Sequence, residues 1–177
     1  MTFYQVPKFV FSPIARSSWG NGSILLPSDF QGQLAKQIAE AGITEIVTNR
    51  EESNLQDPEW WEKYRGTIDW VIAITQGTPQ YTPWITEYGI DIAKEGLIIL
   101  DRLTFLEPTR NREAFLNESS LVNMKILSPR PAFRADGKQL KDSVTSAWFV
   151  FKRPGAARCS TFIDFEVGWA HPKNLRK

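Results

Sequence analysis

Cysteine and histidine are almost missing. Cys159 and His171 stand alone among 177 residues. One thiol excludes an internal disulfide and a cysteine zinc site, and a single imidazole beside it argues against any transition metal held by side chains. No nucleophile–histidine–carboxylate set can be built on a lone His171 in a basic tail, and Cys159 has no histidine or helix start beside it to lower its pKa. Long hydrophobic runs are missing too: none reaches the roughly 18–20 residues that cross a bilayer. The opening Met1-Thr2-Phe3-Tyr4-Gln5 lacks the basic and apolar regions of a secretion signal. The expectation is a cytoplasmic protein with no membrane partner. Charge of one sign is also lacking. Lys and Arg number 21 against 20 Asp and Glu, a net charge of +1, so nothing pulls the whole chain toward nucleic acid. There is no phosphate-binding P-loop, internal repeat or low-complexity segment.

What is present is ordinary for a folded domain: 42% hydrophobic and 23% charged residues. The length suits one domain over 1–177, with an irregular N-terminal segment over 1–23 and a flexible tail over 168–177. Seven tryptophans are many for this length, and packing is their expected use, with one or two as platforms for a base or partner. Basic residues gather in the later part of the chain: Arg102, Arg110, Arg112, Lys125, Arg130, Arg134, Lys138, Lys141, Lys152, Arg153 and Arg158. They form either a solvated face, the favoured reading, or a local patch for phosphates.

The organising stretch is Thr67–Glu107. Ile68–Ile74 reads as a buried strand, Thr75–Tyr81 as a polar loop, Pro83–Glu95 as a helix with Trp84, Ile85, Tyr88 and Ile92 on one side, and Leu97–Leu100 as a second strand. That order is a βαβ unit, with strands apolar on both faces. Ligands in such sheets lie beyond the C-terminal strand ends, so Thr75–Tyr81 and Asp101–Glu107 should rim any site. Before this unit, Ile24–Leu26 reads as a strand, Ser28 and Gln31 as a capping box for a helix ending at Gly42, and Glu45–Thr48 as another strand. Gly20-Asn21-Gly22 precedes a strand rather than a helix and is read as a turn, not a phosphate loop. Glu51 and Glu52 follow the second strand, where an acidic residue often accepts hydrogen bonds from a ribose; an exposed charged turn is the equal alternative. Asp57-Pro58 starts a short helix. Thr109–Asn117 is expected as a helix, Ser128–Ser143 as a loop, and Leu121–Leu127 and Val144–Lys152 as strands. Thr161–Val167 is expected as a final edge or hairpin strand. The fold class is α/β: a three-layer sheet, mostly parallel, with an antiparallel C-terminal hairpin.

From about Tyr4 to Phe151 the sequence resembles the Rossmann-like S-adenosylmethionine-dependent methyltransferases, in particular the bacterial and phage enzymes of the DNA N6-adenine type. Ala41–Asn49 is similar to that family's second strand and its approach, and Asp69-Trp70-Val71-Ile72 to its fourth strand. Arg102–Arg110 is similar to the end of its fifth, and Ser146–Phe151 to its last hairpin. The resemblance implies that Pro27 and Gly32 belong to the cofactor loop, with Glu51 and Glu52 beyond the second strand. It makes Thr78, Pro79 and Tyr81 the counterpart of the N-P-P-Y catalytic motif, in which the first residue and a proline carbonyl accept hydrogen bonds from the adenine amino group and the aromatic stacks on the flipped base. Gln76 offers the amide in a register two residues earlier. Arg102 and Arg110 would hold a phosphate; for Arg102 an ion pair with Asp101 or Glu107 is the alternative.

The sequence departs from the family at both motifs. Leu26 stands for the acidic residue of the cofactor loop, Phe30 for its first glycine, and Thr78 for the catalytic Asn or Asp. A phenylalanine ring there would occupy space the family gives to the cofactor. The expectation is a catalytically degenerate relative that acts as a binding module, for nucleic acid or for a protein partner, with an active adenine methyltransferase using S-adenosylmethionine as the alternative. No metal is expected.

Overall fold

The computed structural model describes residues 5–76, 78–110, 112–133, 144–153 and 160–170. Its centre is the βαβ unit: β3 (Trp70–Ile74), α4 (Thr82–Ile92) and β4 (Gly96–Arg102). β3 and β4 pair in parallel, Trp70 with Gly96 through Ile74 with Leu100. Their apolar runs are buried on both faces. Trp70 and Ile72 enter one apolar cluster with Ile14, Leu34 and Ile38, whereas Val71 and Ala73 enter another with Ile85, Ile90 and Trp61. Gly89 brings α4 close to the sheet, since a Cβ there would lie 3.2 Å from Val71 Cγ1.

β1 (Ile24–Leu26) pairs in parallel with β3 on one side and with β2 (Ile46–Thr48) on the other, and α2 (Gln33–Glu40) connects β1 to β2. On the far side of β4 the sheet turns antiparallel. β6 (Ser146–Lys152) runs against both β4 and β5 (Ser120–Ser128), and β7 (Phe162–Val167) closes the edge. The order is β2-β1-β3-β4-β6-β5-β7. One layer of cover carries α1 (Ser12–Ala15) and α2; the other carries α3 (Pro58–Glu62), α4 and α5 (Glu113–Glu118). This is the expected three-layer, mostly parallel sheet.

Several local expectations are corrected. α2 is not opened by a Ser28–Gln31 box: Gly32 adopts a left-handed turn (φ 68°), the helix starts at Gln33, and Asp29 reaches past it to cap the amides of Leu34 and Ala35. The Thr109–Asn117 helix begins later, at Glu113. β7 is an edge strand parallel to β5 rather than a hairpin partner. Between β2 and β3 the chain forms a 3-10 turn (Glu52–Gln56) and then α3, the short helix expected from Asp57-Pro58. Asp57 caps α3 as expected. Residues 168–170 are held rather than loose. Trp169 is buried, its indole Nε1–H donates to the Pro129 carbonyl at 2.6 Å, and its own carbonyl accepts from Ser12 Oγ. His171–Lys177, Cys159, Arg134, Lys138, Lys141 and Arg158 lie outside the described residues. Among the described residues no helix is long and apolar enough to cross a membrane.

Gly20 and Gly22 take positive φ, 75° and 103°, and a Cβ on Gly22 would fall 2.4 Å from Asp69 Oδ2. Asp69 sits just before β3 and accepts from the Ser23 amide and hydroxyl. This turn is therefore at the N-terminal strand ends, opposite the edge where the site is expected. It is structural.

Candidate functional site

Four loops leave the C-terminal ends of β1, β2, β3 and β4 side by side, and hydrogen bonds and ring contacts lace them together. The loop after β1 contains Pro27, Asp29, Phe30 and Gly32. Its Pro27 carbonyl accepts from Asn49 Nδ2 at 3.0 Å. Asn49 is buried just beyond β2; its Nδ2 also donates to the Glu51 carbonyl, while its Oδ1 accepts from the Glu51 amide and from Asn54. Asn49 thus fixes the shape of the loop bearing Glu51 and Glu52. Gly32 faces Arg50, whose guanidinium would lie 3.5 Å from a Cβ placed there.

The loop after β3 carries Thr75, Gln76, Thr78, Pro79 and Tyr81. A 3-10 turn over Pro79–Tyr81 leads into α4. The Phe30 ring meets Tyr81 edge-on, centroids 5.7 Å apart at 77°, so the loops after β1 and β3 touch through two aromatic rings. Tyr81 is buried, with the Glu52 carboxylate close to its hydroxyl. Burial, and next the Glu52 carboxylate, push the phenol above its usual range. Thr78 is half-buried, with its hydroxyl 3.4 Å from the Thr75 carbonyl, and Pro79 is exposed.

A second group of polar side chains lies under this loop. Thr75 Oγ1 donates to Asp101 Oδ2 at 2.5 Å, and Asp101 Oδ1 accepts from the Arg102 amide. Burial raises the Asp101 carboxyl above the ordinary aspartate range, against the pull of those hydrogen bonds and of Arg112 and Arg102. Gln76 is buried and accepts from Ser146 Oγ at 2.6 Å, so its amide oxygen is engaged at the head of β6.

The structure thus brings Pro27, Gly32, Glu52, Thr78 and Tyr81 to one edge of the sheet. Glu51, Arg102 and Arg110 are exposed at its rim. Arg102 has no ion pair with Asp101 or Glu107 within 4 Å among the described residues. Of the other late basic residues, Arg112 clamps the 3-10 turn over Leu103–Leu106 by donating to the Thr104 and Phe105 carbonyls. Lys125 pairs with Asp164 and Glu166, and Lys152 pairs with Glu95. Sequence reasoning missed Asp29, Asn49, Thr75 and Ser146 as site builders. Asp29 carried a usable signal, being an aspartate just ahead of a helix start. Asn49 and Ser146 act across 22 and 70 residues of chain and carried none.

No family model and no curated protein matches the sequence. Solved structures do match the fold. The modification subunit of a putative type I restriction enzyme from Vibrio vulnificus superposes with a TM-score of 0.55 at 13% identity, over 89% of this chain and 49% of that one. A predicted O-methyltransferase from Agrobacterium tumefaciens superposes with a TM-score of 0.51 at 11% identity, over 91% and 85% of the two chains. The chain spans about half the length of the modification subunit. With the reversed strand β6 set between β4 and β5, the fold is that of the Rossmann-like methyltransferases.

Proposed function

We propose that the chain is a cytoplasmic binding module on the methyltransferase fold, a catalytically degenerate relative of the DNA adenine N6-methyltransferases. The observation that carries this reading is the Phe30–Tyr81 contact, which spans the cleft between the cofactor loop and the catalytic loop with the chain's own rings. Two further features support it. Asp29 takes the Leu34 and Ala35 amides, so a carboxylate of the chain already occupies the electropositive start of α2. A small hollow beside the β1 loop, lined by Val6, Ser28, Asp29, Leu34, Ile72 and Ile74, measures about 20 Å³, room for one water. On this reading S-adenosylmethionine does not bind between the joined loops.

Nucleic acid is the partner this reading implies. Arg102 and Arg110 stand exposed at the rim, and one structural neighbour is a restriction-modification subunit. Binding to a DNA duplex should weaken with salt, and Arg102→Ala with Arg110→Ala should lower the slope of log K against log salt by about 2. A duplex bound equally by the double variant would remove the assigned phosphate role.

Cofactor binding is read separately by thermal unfolding with S-adenosylmethionine. A ligand of micromolar Kd at millimolar concentration would add about 4 kcal/mol and raise the Tm by roughly 10 °C. This reading expects no shift.

The second reading, an active adenine methyltransferase, draws on the placement of Thr78, Pro79 and Tyr81 directly after β3. It requires radiolabelled methyl transfer to DNA that Tyr81→Ala abolishes and Pro79→Ala strongly reduces.

A further inference from the structure

A base read outside the double helix needs an aromatic face to stack on and free acceptors for its amino edge. The C-terminal edge of this sheet offers neither. Tyr81, the aromatic residue of the β3 loop, is only 6% exposed, and the Phe30 ring is set edge-on against it. The acceptors around it are engaged within the chain. The Thr78 carbonyl accepts from the Tyr81 amide, and the Pro79 carbonyl from the Thr82 amide. The Thr78 hydroxyl is turned to the Thr75 carbonyl, and the Gln76 amide oxygen accepts from the Ser146 hydroxyl.

Unpaired cations stand at the same edge. Arg50 lies two residues past β2, Arg102 ends β4, and Arg110 follows the 3-10 turn over Leu103–Leu106. All three are exposed, and none has an ion pair within 4 Å among the described residues. Arg16, Arg65, Lys94, Lys125 and Lys152 are by contrast each paired with a carboxylate. The Arg50 guanidinium lies beside Gly32, at the start of α2. β2 and β4 are three strand spacings apart, so Arg50 and Arg102 leave the sheet roughly 14 Å from each other. Duplex DNA carries one charge per about 1.7 Å of axis, so an edge of that width meets several phosphates. Glu51 and Glu107 are exposed at the same rim and oppose those phosphates, which confines binding to low salt.

We propose, resting on the nucleic-acid reading above, that the chain holds an intact duplex by its phosphates alone. Arg50 is a third contact beside Arg102 and Arg110, and no base is drawn out of the stack. Contacts of this kind position a protein on DNA without reading its sequence.

Fluorescence anisotropy of the full chain at low salt tests this with two end-labelled duplexes. One is fully paired; the other carries 2-aminopurine at a mismatched adenine position. A protein that extrudes a base binds the mismatch more tightly, because less unpairing is needed. Equal affinity for both is expected, with 2-aminopurine emission unchanged on binding. Arg50→Ala should lower the slope of log K against log salt by about 1, and Arg50→Lys should restore it. Tighter binding of the mismatch with brighter emission would overturn the inference and leave the nucleic-acid reading standing. A slope unchanged by Arg50→Ala would remove Arg50 from the contact. If neither duplex binds at low salt, the nucleic-acid reading itself fails and this inference falls with it.

Discussion

Phe30 is the residue on which the functional reading turns. A glycine there would leave the cleft between two loops open; the phenylalanine packs on Tyr81 and joins the cluster around Leu25 and Leu55. Because it is half-buried and forms an aromatic pair, Phe30→Ala should cost about 2 kcal/mol in urea unfolding. A cost near zero would mean the ring does not hold the loops together. Asp29→Ala strips two amides of their acceptor and should cost about 1–2 kcal/mol. Asp101 gives a pH signature. Its folded pKa is raised above the ordinary 3.8, so its contribution to stability is present below 3.8 and is lost as pH rises through the folded value. Asp101→Asn removes that loss. The amide can still accept from the Arg102 amide, and Thr75 can turn its hydroxyl to accept. The variant should therefore gain on wild type as pH rises from below 3.8 to neutrality, followed by urea unfolding at each pH; a pH-independent difference would contradict the assignment. The resemblance set Phe30 where the family's cofactor loop has a glycine. It did not reveal the partner of that ring, because Tyr81 lies on a different loop and ring-to-ring contact is a property of the folded chain.

At the scale of elements, the sequence was most readable where one apolar run fills one strand. β1, β3, β4 and β6 stand within a residue or two of the expected spans because WVIAI, LIIL and AWFVF are buried on both faces and admit no other reading. Boundaries set by side chains reaching over a turn were not readable. The start of α2 depends on Gly32 turning left-handed so that Asp29 can reach Leu34 and Ala35. Trp169 was hidden for a similar reason: a tail residue gives no local sign that its indole will bond to Pro129. The pairing direction of β7 is equally non-local. α4 supplies a prediction at this scale. Gly89→Leu improves helix propensity by about 1 kcal/mol, yet its side chain would press into Val71 and Leu97. Overpacking should win by about 1–3 kcal/mol net, measured as a fall in the urea midpoint. A stabilised variant would mean α4 sits farther from the sheet.

Across the whole molecule, the packing is the part that matches known structures. The sheet order, the reversed β6 and the two apolar layers belong to the methyltransferase fold and follow from long apolar runs. Between β2 and β3 the 3-10 turn over Glu52–Gln56 and α3 place Glu52 beside Tyr81. Every loop at the C-terminal edge is tied to a neighbour through Asn49, Phe30, Thr75 or Gln76. Opening a cofactor-sized cleft would require breaking several of these ties together. Isothermal titration of the purified chain with S-adenosylmethionine measures that directly. The account predicts no binding heat up to millimolar ligand; a saturable isotherm with a micromolar Kd would contradict it.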